Sequence, residues 1–113
     1  MALVRITVLL GCLLASACTP CTTQLVYGLN VTVLDGASGM PVCDAMVTLR
    51  DGAYSETLGG DVRLCDYYGA AERAGTYSID VVWGAKTKTL DNVRVTAGDC
   101  HVMPRSVTIT LDP

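Results

Sequence analysis

Val31-Thr-Val-Leu-Asp-Gly-Ala-Ser-Gly-Met-Pro-Val-Cys-Asp-Ala-Met-Val-Thr-Leu49 places two alternating apolar runs on either side of a turn rich in Gly, Ser and Pro. A period of two buries one face and solvates the other, which is the mark of a strand, and the Asp35–Pro41 cluster supplies the turn chemistry between the two runs. Outward from this stretch the plan repeats. Leu25, Tyr27, Leu29, Val31 and Val33 alternate with Gly28, Asn30 and Thr32 in a first strand. Ala45, Val47 and Leu49 alternate with Met46, Thr48 and Arg50 in a second. Asp51-Gly52 is a tight hairpin signal, leading into a short third strand, Ala53 to Leu58, with Tyr54 and Leu58 inward.

Gly59 to Gly75 reads as irregular, with a short helical turn over Ala70 to Arg73. Tyr77, Ile79, Val81 and Trp83 then form the clearest strand, with Trp83 in phase with the inward row. Lys86-Thr-Lys-Thr89 reads as an edge strand, because exposed lysines discourage edge-to-edge pairing. Leu90, Val93 and Val95 continue it past a bulge expected at Asp91-Asn92, and Val107, Ile109 and Leu111 mark the last strand. Short strands at regular turn spacing, with no helix of useful length, predict an all-β antiparallel sandwich.

The first residues read differently. Met1 to Arg5 carries one positive charge, Ile6 to Ala15 is an apolar core, and small residues follow. This is the pattern of a secretory signal over residues 1–17, too short for a spanning helix of roughly 20 apolar residues. Leu14-Ala-Ser-Ala-Cys18 supports two readings. It resembles a bacterial lipobox with Cys18 as the lipidated residue, and Ala15-Ser16-Ala17 also fits an ordinary cut without lipid. Cysteine arithmetic favours the lipid. Cleavage leaves Cys18, Cys21, Cys43, Cys65 and Cys100, and lipidation of Cys18 leaves an even number for an oxidising compartment. Thr19 rather than Asp after Cys18 resembles lipoproteins sent to the outer membrane. Residues 18–24 form a polar tether, and residues 25–113 form the domain.

The full chain has net charge −3, and loss of Arg5 makes the mature part −4 (7 basic against 11 acidic residues). This acidic balance argues against a nucleic-acid partner, since neutralising phosphates needs a basic patch. The expected contacts are the membrane, through lipid, and a protein or carbohydrate of the envelope.

Val33-Leu-Asp-Gly-Ala-Ser-Gly-Met-Pro-Val-Cys-Asp-Ala-Met-Val-Thr-Leu49 resembles the opening of the carboxypeptidase regulatory-like domain: a strand, Asp, then Ser/Thr-Gly-x-Pro-Val, then Ala-x-Val-x-Leu. Gly75-Thr-Tyr-Ser-Ile-Asp-Val81 resembles its later Gly-x-Tyr/Phe-x-Leu/Ile-x-Val strand. The likeness spans about Leu29 to Leu111. Cys65-Asp-Tyr-Tyr-Gly-Ala-Ala-Glu-Arg-Ala-Gly75 stands where the family has a Thr-Asp-x-x-Gly lead. The resemblance implies a seven-stranded antiparallel Greek-key sandwich of transthyretin-like type, without catalytic activity. The same fold hosts a 5-hydroxyisourate hydrolase, whose several histidines and Tyr-Arg-Gly-Ser ending are not matched here.

If consecutive strands alternate in direction, loops 35–44, 59–74 and 97–105 share one end, carrying Cys43, Cys65 and Cys100, while Cys21 starts at the other. Cys43–Cys65 is then the favoured bridge and Cys65–Cys100 a close second; four cysteines allow three complete pairings, and the sequence does not choose. Cys18-Thr-Pro-Cys21 precedes strand-like sequence, whereas a redox motif needs a helix N-terminus. Cys100-His101 with Cys43 and Cys65 lacks zinc-ligand spacing, and the turn aspartates Asp35, Asp44, Asp51, Asp61, Asp66, Asp91 and Asp99 are explained by turn preference without calcium. His101 is the one histidine; no Ser–His–Asp set is readable around it, and a lone loop histidine is expected to be solvated. No cofactor motif is readable, and the chain is read as non-catalytic. Tyr54, Tyr67 and Tyr68 are the candidates for a binding surface, since tyrosine presents an apolar ring with a polar tip. A soluble secreted binding module and a hydrolase using unrecognised loop residues remain the alternatives.

Overall fold

The computed structural model describes residues 21–61 and 63–113. The signal segment 1–17, the lipidation site Cys18 and the tether residues Thr19 and Pro20 lie outside the described residues. The remainder is all-β, with no helix among the described residues. Its strands are β1 (Tyr27–Asp35), β2 (Met46–Asp51), β3 (Tyr54–Thr57), β4 (Gly59–Asp61), β5 (Asp66–Ala71), β6 (Gly75–Trp83), β7 (Lys86–Val95) and β8 (Arg105–Leu111). They form two four-stranded sheets, β4-β5-β1-β8 and β3-β2-β6-β7.

The inward rows of both sheets build one core. Leu29, Val31 and Val33 of β1, Val47 and Leu49 of β2, Tyr77, Ile79 and Val81 of β6, and Ile109 and Leu111 of β8 are all buried within it. These are the alternating positions of the two opening runs and their repeats, so apolar burial selects the register. Trp83 is partly buried against this core, with its indole N–H donated to Asp44 Oδ1 at 2.9 Å. Tyr54 is half-buried and Leu58 buried. The alternation fails at the chain's entry: Leu25 and Tyr27 are exposed, because they lie beyond the end of the core.

β7 is the edge of its sheet, as its lysines suggest. Its bulge lies at Asp91-Asn92: Ile79 pairs with Leu90 and Tyr77 with Val93, so two residues oppose Ser78. Asn92 takes a left-handed φ of 60° there, and Ser78 Oγ donates to Asp91 Oδ1 at 2.7 Å.

Four expectations need correction. Among the described residues the strands number eight rather than seven. The stretch Gly59–Gly75 is not irregular: it supplies β4, the turn that holds Cys65, and β5, which pairs antiparallel with β1 from Thr32↔Asp66 to Tyr27↔Ala71. No helical turn forms over Ala70–Arg73, since Ala70 and Ala71 belong to β5 and a tight turn follows. The sandwich is also not wholly antiparallel, because β8 runs parallel to β1 from Leu29↔Arg105 to Asp35↔Leu111.

The added pass through β5 reverses the direction of every later strand. The 97–104 loop therefore lies at the end where β1 begins, and not beside Cys43 and Cys65. We call the end with the starts of β1, β6 and β8 the entry end, and the opposite end the far end.

Candidate functional site

Chemistry-bearing side chains gather at the two ends. At the far end, Cys43 bonds Cys65, tying the β1–β2 loop to the β4–β5 turn. Tyr67 secures the same join from inside. It is buried, and its hydroxyl donates to Val42 O at 2.8 Å while accepting from Ala45 N–H at 3.0 Å. Burial, as the largest cause, holds the Tyr67 hydroxyl above its usual pKa, against the lowering effect of the Ala45 N–H. Tyr67 thus cannot serve as a binding-surface residue. Asp35 organises the turn beside it, accepting from Ala37 N–H at 3.1 Å and Ser38 Oγ at 3.0 Å, with Lys86 Nζ at 3.4 Å. The Ala37 N–H, chiefly, keeps its carboxyl below the ordinary value.

The other two candidate tyrosines do not join Tyr67 or each other. Tyr68 lies on the first sheet against Tyr27, with ring centroids 5.7 Å apart. Tyr54 lies on the second sheet, under the Arg73 guanidinium at 3.7 Å from the ring centroid and edge-on to Tyr77 at 6.4 Å. Its hydroxyl donates to Glu56 Oε1 at 2.7 Å, and that carboxylate holds the Tyr54 pKa above its usual value. Arg73 also pairs with Asp51 at 3.1 Å. A single tyrosine surface is not present.

At the entry end, Cys21 bonds Cys100. The parallel β1–β8 pair explains this, since it sets the segment leading into β1 beside the loop leading into β8. This corrects the expectation that Cys21 and Cys100 lie at opposite ends. The bridge brings their sequence neighbours together. His101 Nε2 lies 2.8 Å from Thr22 Oγ1, and His101 Nδ1 bonds Glu72 Oε2. The second oxygen of Glu72 accepts from Val102 N–H at 3.3 Å. Glu72 reaches this position from a left-handed backbone, φ 51°, just after β5. His101 is therefore held on both ring nitrogens and is not a solvated loop histidine. Nothing local in the sequence signals this set; the one hint is that Thr22 follows Cys21 and His101 follows Cys100.

Hydroxyl, imidazole and carboxylate stand here in the order of an acyl-transfer triad. The Thr22 hydroxyl and the Glu72 carboxylate meet the ring at opposite nitrogens, Nε2 and Nδ1. Two features fit a clamp better than a nucleophile. The Glu72 carboxylate is itself fastened to the backbone by the Val102 N–H. The bridge fixes the residues on which Thr22 and His101 depend. Its 79-residue separation corresponds to about 4.5 kcal/mol in the loop-closure model.

The turn aspartates are bound individually: Asp44 to Trp83, Asp51 to Arg73, Asp66 to Thr32 Oγ1 at 2.9 Å and Asp91 to Ser78. Among the described residues no three His, Cys, Asp or Glu side chains converge as metal ligands. No protein-family model and no curated protein matches this sequence.

Proposed function

We propose that the chain is a bacterial envelope lipoprotein, anchored through Cys18, whose carboxypeptidase regulatory-like sandwich of transthyretin type is a non-catalytic binding or structural module. The observation that carries this reading is the cysteine pairing. Cys21, Cys43, Cys65 and Cys100 are all used in intrachain bridges, which fits an oxidising, extracytoplasmic setting and leaves Cys18 of the mature chain for lipid. The family likeness gains support from the two motif segments becoming β2 and β6, direct neighbours in one sheet. The partner is a protein or carbohydrate of the envelope, met by surfaces other than a Tyr54–Tyr67–Tyr68 group.

Growth of the producing bacterium with an alkyne-tagged palmitate tests the anchor. The mature protein incorporates the tag, and Cys18→Ala abolishes incorporation. An untagged wild-type protein in the medium would hand the case to a soluble secreted module.

The order Thr22–His101–Glu72 favours one second reading, a hydrolase with Thr22 as nucleophile. A fluorophosphonate probe separates the two. The non-catalytic reading gives no labelling of folded protein, whereas labelling lost in both Thr22→Val and His101→Gln would establish the hydrolase.

A further inference from the structure

The entry end carries more than the clamp. Leu25, Tyr27 and Met103 are exposed there, at 58%, 45% and 59% of their surface. Arg94, near the end of β7, and Arg105, at the start of β8, flank them on the same end. Arg73 is paired with Asp51 and His101 with Glu72. Arg94 and Arg105 have no carboxylate partner among the described residues; Arg105 Nη1 donates to the Arg94 carbonyl oxygen at 3.3 Å, and the acidic side chains at this end include Asp51, Glu72 and Asp99. Exposed Leu, Met and Tyr beside Arg without a carboxylate partner is the chemistry of a lipid–water interface: apolar groups enter the headgroup boundary and guanidinium groups meet anionic headgroups.

The sequence fixes how far this end can stand from an acylated Cys18. Three residue steps separate Cys18 from Cys21, a reach of about 10 Å fully extended. Beyond Cys21 the chain has little freedom to swing, because the Cys100 bridge and the Thr22–His101–Glu72 set fasten it to the body of the sandwich. A single-point lipid anchor on a long tether leaves its domain free to rotate, whereas a three-step tether keeps the entry end within about 10 Å of the acylated residue.

Resting on the lipid-anchored reading above, we propose that the entry end lies flat on the bilayer surface, with Leu25, Tyr27, Met103, Arg94 and Arg105 forming a second membrane contact beside the acyl chains. The far end, with exposed Met40, Met46 and Leu64, then faces away from the membrane. The nine residues of β6 separate the two ends by roughly 30 Å.

The test uses the mature lipidated protein in vesicles of phosphatidylethanolamine and phosphatidylglycerol with brominated acyl chains. Trp83, the one tryptophan, stays in place at the far end as background. Added tryptophans at exposed positions report each end: M103W and L25W at the entry end, M46W at the far end. The proposal expects bromine to remove most of the emission added by M103W and by L25W, and little of that added by M46W. Equal quenching at both ends, or none at either, would overturn the orientation while leaving the anchor intact, provided the protein floats with the vesicles. Failure to float would instead refute the anchor reading, and the orientation with it.

Discussion

Tyr67 shows how one side chain can decide a join. Its ring fills core beside the Cys43–Cys65 bridge, and its hydroxyl satisfies two main-chain groups of the β1–β2 loop. Tyr67→Phe keeps the ring and leaves the Ala45 N–H and Val42 C=O without that partner. The expected cost is about 1–3 kcal/mol, read as a lower denaturant midpoint with an unchanged slope. In the sequence Tyr67 looks like half of an exposed Tyr-Tyr pair. Strand parity decides otherwise, turning Tyr67 inward and Tyr68 outward, and that parity is legible only once β5 is recognised. A second residue-scale effect concerns acid. Arg50 holds Asp80 through two hydrogen bonds at 2.5 and 3.2 Å, and Thr89 Oγ1 adds one at 2.7 Å. Arg50 above all, then Thr89, keeps the Asp80 carboxyl below its ordinary value of 3.8. A depressed folded-state pKa contributes stability that is present above 3.8 and lost as pH falls through the folded value. The unfolding midpoint of the wild type should therefore decline below that pH, and Arg50→Gln should flatten the decline. The pair is largely exposed, so the effect is small. A profile identical in both proteins would show that Arg50 does not tune Asp80.

At the scale of elements, the strands with strict alternation were legible and the ones without it were not. β1, β2, β6 and β8 announce themselves because every second residue is Val, Leu, Ile or Tyr. β5 does not: Tyr67, Gly69 and Ala70 are buried, an inward set with two residues too small to register as apolar and with two successive inward positions. Its backbone is also irregular, with left-handed φ at Cys65, Ala70 and Glu72. A Cβ at Gly69 would meet the ends of the Leu58 and Leu49 side chains, which would have to shift to admit it. Missing this one strand inverted the predicted direction of everything after it, and with it the placement of Cys100 and His101. The opening turn was better conveyed. Gly36 sits so close to the end of β8 that a Cβ would collide with the Leu111 carbonyl oxygen. Main chain cannot yield as a side chain can, so Gly36→Ala must displace either the turn or β8. Overpacking of this kind costs about 1–3 kcal/mol or more, and thermal unfolding should show a clear loss of Tm, where Gly39→Ala, with open space around it, meets no such collision and pays only for its left-handed φ of 73°.

For the whole molecule, the arrangement is a sandwich fastened at both ends. Cys43–Cys65 joins two connections at the far end, and Cys21–Cys100 fastens the incoming chain to the last loop at the entry end. The two bridges do different work: the first locks a local join, and the second closes almost the entire domain into one loop. The all-β, two-sheet fold was readable from the strand period, and disulfide pairing from the cysteine count. The entry-end set was not, because Thr22, Glu72 and His101 are brought together only by the parallel pairing of the first and last strands. In the proposed lipoprotein the mature chain begins at a lipidated Cys18 and carries two intrachain bridges. Intact mass of the protein from native membranes, before and after reduction and alkylation, tests this most directly. The account predicts residues 18–113 plus acyl groups, no alkylation before reduction, and alkylation of Cys21, Cys43, Cys65 and Cys100 after it. An unacylated mass, or a free thiol among those four before reduction, would contradict it.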